Sequence, residues 1–526
     1  MSFSRKISLY FHTIRHLRRT QIWHRLTFRL GHPKPDLSAA PPAAKSMSVT
    51  SFPRMAACHL GGEHFRFLNE ECVFPGWNSP ERGKLWLYNL HYFDWLRQEG
   101  LPGTEGSRWI AKWIAENPPP LGNGWEPYPL SLRIVNWIKW HLSGHALSDL
   151  ARHSLAVQVR FLMKRLEFHL MANHLMANAK ALIYAGCFFS GSEAKKWLAK
   201  GLEIYQEQLP EQILPDGGHF ELSPMYHSII LEDLLDLVNI GAPLFLHDAI
   251  GRMLRWLAVM TGPDGRIAHF NDAADGIALS PEQIFNYAEQ LGFPRPKQVT
   301  ASCDLPDSGY ARLTAGKWTA ICDGGAIGPD YQPGHAHADT LSFELWHGQT
   351  RLLVDSGTGE YIDTALRREQ RGTAGHNTLV ADGKNSSAVW GAHRVAERAR
   401  IIRRSFSENR FLGAHDGYAP ILHQREWHLS SEKVDIVDRA EGKGAHRLEV
   451  FWHFAPESRI TLGNGVATIE LQGMEYTITL PANGTCEIQK GHYSPGFGII
   501  QEIPILHVFF EATLPWNSTT TIKVKS

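Results

Sequence analysis

Ser154-Leu-Ala-Val-Gln-Val-Arg-Phe-Leu-Met-Lys-Arg-Leu-Glu-Phe-His-Leu170 places Leu155, Val159, Leu162, Leu166 and Leu170 at i, i+4, i+7, i+11 and i+15. That spacing is one apolar stripe of an α-helix. Working outward from it, the same period returns at Trp197, Gly201, Ile204 and Tyr205, at Ile230, Leu234, Leu237 and Val238, and at Met253, Leu254, Leu257 and Val259. Amphipathic helices on short connections between about Lys84 and Gly292 make antiparallel neighbours, an array that can curve into a toroid or a solenoid. No repeat of fixed length stands out, which disfavours a regular solenoid. Beyond about Pro296 the period changes to alternation, in Tyr310-Ala-Arg-Leu-Thr, Trp318-Thr-Ala-Ile-Cys, Leu341-Ser-Phe-Glu-Leu-Trp, Arg351-Leu-Leu-Val-Asp, Val434-Asp-Ile-Val-Asp and Ala467-Thr-Ile-Glu-Leu, with turns at Gly348-Gln and Asn464-Gly. Successive strands with no helices between them predict an antiparallel β-sandwich. The expected fold class is α+β and multidomain: a basic arm and linker over 1–55, a helical domain over 56–300 and a β-sandwich over 301–526.

A chain of 526 residues exceeds what one core usually supports. Lys+Arg and Asp+Glu balance at 53 each, so no global field favours a nucleic-acid partner. The six cysteines lie far apart, without metal-type spacing or the density of a disulfide framework, and read as free thiols. Residues 1–30 carry Arg5, Lys6, Arg15, Arg18, Arg19, Arg25 and Arg29 but no secretory h-region, and no apolar run spans a bilayer. A cytoplasmic protein is expected, its N-terminal helix docked on the main domain or lying on an anionic membrane surface. The Ser/Ala/Pro-rich stretch 38–53 reads as a linker that makes the arm separable.

Chemistry-bearing residues cluster in a few strings. In Gly334-His-Ala-His-Ala-Asp339, at the edge of a predicted strand, His335 and His337 would project to one side. With Asp355, which ends the next strand, and His376 in Gly375-His-Asn-Thr-Leu, His337 makes a zinc set of two imidazoles and a carboxylate. In Asp216-Gly-Gly-His-Phe-Glu-Leu-Ser-Pro-Met-Tyr-His227, Ser223 would cap a helix with Pro224 in its first turn. Tyr226 and His227 then lie near the positive end of the helix dipole, which would favour an ionised phenol. Asn173 and His174 open another helix. Trp125 and Tyr128 could stack on sugars beside Arg133, which pairs with carboxylates; core packing would equally explain the neighbouring Trp137 and Trp140. Asn271-Asp-Ala-Ala-Asp-Gly276 lacks the ligand alternation of a calcium loop and reads as a turn.

In this order, the strings around Asn173-His174, Asp216–His227, Gly334–Asp339, Leu353-Val-Asp355-Ser-Gly and Gly375-His376-Asn-Thr resemble the heparinase II/III family of polysaccharide lyases, over roughly residues 85 to 400. The resemblance implies an (α/α) toroid followed by an antiparallel β-sandwich, with the active site in the cleft between them. It also implies an acidic polysaccharide as partner, cleaved by β-elimination at a uronate. On that resemblance Asn173 and His174 neutralise the uronate carboxylate, with Arg133 as helper, and Tyr226 and His335 share the proton transfers. Trp125, Tyr128, Arg133 and His227 contact substrate, and a structural Zn2+ sits on His337, Asp355 and His376. The basic arm with Gln21-Ile-Trp-His-Arg-Leu is similar to members associated with bacterial capsule or exopolysaccharide gene sets. Two other readings stay open: a zinc-dependent hydrolase, since His-X-His-X-Asp resembles metal hydrolases although Thr340 stands where one such family has His, and a non-catalytic glycan-binding or assembly protein.

Overall fold

The structure, a computed structural model, describes residues 3–31, 33–44 and 47–525. Helices α1 (Phe3–Ile14) and α2 (Arg19–Leu30) open the chain, and a small antiparallel sheet (His59–Gly61, His64–Phe67, Glu70–Val73) follows. The helical period gave no sign of that sheet. Then come α3 (Lys84–Tyr92), α4 (Gly103–Glu116), α5 (Pro127–Leu142), α6 (Asp149–Met163), α7 (Ala172–Phe188), α8 (Ser192–Gln212), α9 (Pro224–Asn239), α10 (His247–Val259) and α11 (Pro281–Gln290).

Burial sorts these helices into two rings. Helices α5, α7 and α9 are buried nearly all round, whereas α4, α8 and α10 bury one stripe. A helix apolar on every side belongs inside, and an amphipathic one belongs outside. The inner helices pack on one another in the order α3, α5, α7, α9, α11, and outer helices cover them, the arrangement of an (α/α) toroid. Small residues on α7 allow close approach: a Cβ on Gly201 of α8 would stand 2.8 Å from the Ala179 carbonyl oxygen. The inner ring also buries charge. Lys180 of α7 reaches Asp233 and Asp236 of α9, and Lys139 of α5 reaches Asp236 at 2.5 Å.

The last toroid helix ends at Gln290, and the sandwich begins at Cys303. A five-stranded antiparallel sheet (Cys303–Leu305, Tyr310–Ala315, Trp318–Asp323, Phe343–His347, Thr350–Leu353) faces a ten-stranded one dominated by the paired strands Lys433–His453 and Gln501–Val524. Trp318, Phe343 and Leu345 from the first meet Phe411, Trp427, Ile436 and Trp452 from the second in one core. Both predicted turns are present. Gly348 has φ +60°, and Asn464 and Gly465 have φ +40° and +77°, as a tight hairpin requires. Helix α12 (Ala365–Arg371) interrupts the sandwich.

The two domains share a hydrophobic cluster in which Leu222, Trp256 and Val259 pack with Tyr310, Ile321 and Trp346. The arm is docked on both domains, contrary to its reading as a separable unit. Leu9 of α1 is buried, Tyr10 meets the Trp390 ring at 4.8 Å, and Thr13 donates to the Val395 carbonyl. Gln21 of α2 is fully buried, its amide 3.4 Å from the Leu170 carbonyl of the toroid and 3.3 Å from the Tyr331 carbonyl of the sandwich. The Pro-rich linker is held as well, because Arg160 donates to the Ser38 and Ala39 carbonyls and Asn239 pairs with the Thr50 backbone.

Candidate active site

The toroid contributes its share at the start of α7 and α9. Met171 and Ala172 adopt φ of +64° and +49° just before Asn173. Non-glycine residues pay about 1–3 kcal/mol for such backbone, which persists where surroundings over-determine it. The surroundings here are Glu221: Asn173 donates its amide to the two Glu221 carboxylate oxygens at 2.8 and 3.1 Å and its backbone N–H to the nearer one at 3.1 Å. His174 pairs through Nδ1 with Glu167 at 3.1 Å, and its ring meets Tyr128 at 4.5 Å. Burial opposes protonation of this imidazole, but Glu167 outweighs it and raises the pKa. Ser223 caps α9 as predicted, accepting from the Tyr226 N–H at 3.2 Å, with Pro224 in the first turn. Burial, with Tyr361 adding to it, holds the Tyr226 phenol well above its ordinary pKa. The expected depression by the helix dipole is therefore corrected: the phenol is neutral, because desolvation of a phenolate outweighs a partial charge.

The sandwich supplies the facing groups. His335 and His337 lie in a loop, not on a strand edge; they nonetheless converge, because both contact Asp272. His335 Nδ1 lies 2.9 Å from one Asp272 oxygen and His337 Nε2 lies 2.9 Å from the other. Arg367 of α12 donates to both oxygens, at 2.5 and 2.9 Å. Burial alone would protonate Asp272, but Arg367 and the two histidines hold its carboxyl well below the usual range. The His335 ring stacks on Tyr226 at 3.8 Å, 27° from parallel, and its Nε2 points to Glu221 at 3.4 Å. Tyr361 completes the cluster, its hydroxyl 3.2 Å from that of Tyr226. Asn173, Glu221, His335, Asp272 and Arg367 thus form one polar chain across the domain boundary.

Beneath it His337, Asp339 and His376, all buried, each offer an atom within 4.8 Å of the others. The nitrogens His337 Nδ1 and His376 Nε2 are buried without a hydrogen-bond partner. Asp355, expected as the third ligand, pairs with His376 Nδ1 at 2.8 Å. A carboxylate so placed orients a neighbouring imidazole, and Asp339 is a second carboxylate within the cluster. Burial lowers His337 to about 4, so its nitrogens are neutral as a metal requires.

Two expected substrate contacts fall elsewhere. Arg133 is fully buried over the Trp113 ring at 3.8 Å, donating to Gln158 and to the His91 and Gly124 carbonyls. His227 is buried against Trp256 and donates to the Met253 carbonyl; burial lowers it to about 3. Trp125 is 3% exposed, its indole N–H on the Asn117 carbonyl and its ring against Phe161. Arg133 and His227 are structural. Trp125 and Tyr128 keep their expected place, lining a groove of about 620 Å³ with Tyr88, Glu167 and His174. Glu221, Asp272, Tyr361 and Arg367 join the site without having been singled out. Glu221 lay inside a quoted string, and Asp272 inside the stretch read as a turn.

Residues 108–299 match the heparinase II/III N-terminus, and residues 297–524 match the heparinase II/III-like C-terminal domain. The chain belongs to the heparinase II/III family. This heparinase II/III chain is 28% identical over 308 residues to a heparin-sulfate lyase of Bacteroides stercoris, covering 52% of this chain and 45% of that one. It is 24% identical over 429 residues to a heparin-sulfate lyase of Pedobacter heparinus, covering 73% and 60%. It thus spans about half to three fifths of the length of these curated relatives. A crystal structure of heparinase III superposes with a TM-score of 0.67 at 18% identity, covering 85% of this chain and 79% of that one, a likeness in fold.

Proposed function

We propose that this protein is a polysaccharide lyase that cleaves a uronic-acid-containing glycan by β-elimination, leaving a 4,5-unsaturated uronate at the new non-reducing end. The observation that carries this reading is the Tyr226 phenol stacked on His335 at the domain boundary, with the Asn173 amide tied to the same chain of groups. The C5 proton of a uronate is weakly acidic until donors stabilise the developing enolate. Asn173 and the His174 imidazole are those donors. Asp272 accepts a hydrogen bond from the Nδ1–H of His335, which leaves Nε2 with the free lone pair, the orienting role a carboxylate plays beside a catalytic histidine. His335 then removes the C5 proton, the electron pair forms the C4–C5 double bond, the C4–O4 bond breaks, and O4 leaves with the proton of Tyr226. The neutral phenol suits the acid's part. His337, Asp339 and His376 would hold a zinc ion, which would fix the loop carrying His335. The relatives named heparin-sulfate lyase support an acidic glycan as substrate; the basic arm leads us to an acidic bacterial exopolysaccharide as the polymer class.

The test is incubation with a panel of uronate polymers, read by the ultraviolet absorbance of the conjugated double bond and by product mass. Elimination conserves the summed mass, whereas hydrolysis adds one water. Tyr226→Phe should slow elimination by about 10²–10⁴-fold with binding largely kept. Products heavier by water, or no unsaturated end from any polymer, would refute the proposal.

A further inference from the structure

The outward faces of α1 and α2 are apolar, and no other described part of the chain covers them. Phe3, Ile7, Phe11 and Ile14 are 50–81% exposed, Tyr10, which rests one edge on Trp390, is 46% exposed, and Ile22, Trp23, Leu26 and Leu30 are 44–80% exposed. At helical spacing each set falls in one arc, turned away from the docked Leu9 of α1 and Gln21 of α2. Nine of the 21 exposed large hydrophobic residues among the described residues thus crowd into 28 positions. Such a concentration on a soluble fold marks an interaction surface.

Charge selects the occupant. Residues 1–35 contain eight Lys or Arg and no Asp or Glu, in a chain whose total is balanced at 53 each. Lys6, Arg19 and Arg29 lie exposed on the two helices and Arg15 in the turn between them. Apolar faces bearing Phe, Trp and Leu, edged by Arg and Lys, are those of helices that lie in the headgroup region of a bilayer. Arg5 and Arg18 are paired with Glu397 and Glu211, but a second copy of the arm would still bring Lys6, Arg15, Arg19 and Arg29 against their own counterparts, which like-charge repulsion opposes. No helix among the described residues is long and apolar enough to cross a membrane, so attachment would be at the surface.

We propose that the α1–α2 arm docks this protein on a bilayer containing anionic lipid. Phe3, Phe11, Trp23 and Leu26 enter the boundary between headgroups and acyl chains, and Lys6, Arg15, Arg19 and Arg29 meet lipid phosphates. Because α2 packs against Leu170 and Tyr331, close in sequence to Asn173 and His335, docking holds the candidate site beside the lipid surface.

Co-sedimentation of the full chain with vesicles of phosphatidylcholine, with and without phosphatidylglycerol, tests this. The expected result is at least ten-fold stronger partition into the anionic vesicles, weakening as salt rises. The triple variant Phe11→Ser, Trp23→Ser, Leu26→Ser should lose at least ten-fold on anionic vesicles. Arg15→Glu, Arg19→Glu, Arg29→Glu together should erase the preference for anionic lipid, and thermal melts confirm that both variants stay folded. Failure to pellet with either vesicle at low salt would overturn the proposal. So would binding unchanged in both variants, or a dimer seen by light scattering that the apolar variant abolishes, since that would assign the face to a second copy of the chain.

Discussion

Asp272 serves four contacts with two oxygens, and its charge is what makes them compatible. Asp272→Asn would keep the shape but leave Arg367 buried without a counter-ion, a loss of about 3–5 kcal/mol. It would also put an amide where His335 needs an acceptor. The melting temperature and the elimination rate should therefore fall together, measured by thermal melt and by product absorbance. Arg133 makes the opposite case. Arg133→Leu should cost about 2–4 kcal/mol, because Gln158 and two carbonyls lose a buried donor, while KM for the glycan stays unchanged; a raised KM with normal stability would restore Arg133 to the substrate site. Asn173, Tyr226 and His335 entered with the ordered strings that carry the family resemblance, and the structure brings the three together. The letters misplaced Arg133 and His227, because on a helix buried all round no periodicity tells the cleft side from the core side. Asp272 and Arg367 were hidden for another reason: their roles arise from contact between segments 95 residues apart.

Among the elements, α5, α7 and α9 carry both apolar surface and the ion cluster around Asp236, which also accepts from the Tyr287 hydroxyl at 3.0 Å. Lys180→Met leaves Asp233 and Asp236 short of a cation in a desolvated ring, and a loss of about 3–5 kcal/mol is expected in denaturant unfolding. Replacing Lys180 and Asp233 together by apolar residues of similar size should recover much of that loss, since Asp236 keeps Lys139 as its cation and paired burial of charge adds little net stability. The helices and strands themselves were legible, because period 3.6 and period 2 are written by burial on one stripe or one face. The small sheet over 59–73 was not, since strands of three or four residues hold too few alternations to register. Nor was the loop at His335 and His337, where convergence comes from Asp272 rather than from a pleat.

At the scale of the whole molecule, acid should be the weak direction. Burial lowers His91 and His227 from 6.5 to about 3 in the fold. In the unfolded chain both take up protons below about 6.5, so as pH falls the unfolded state is favoured. Each site removes about 1.4 kcal/mol per pH unit between those values. Melts recorded from pH 7 down to pH 4.5 should show a steady decline, and His91→Gln should flatten it.

The cluster of Trp256, Tyr310 and Trp346 makes the helical and β halves a single thermodynamic body. Calorimetry should give one endotherm, and neither half expressed alone should remain in solution, since each would bare one side of that aromatic seam. Two patterns in the letters, one cooperative transition in the calorimeter: the boundary most visible in the sequence is the one heat should fail to resolve.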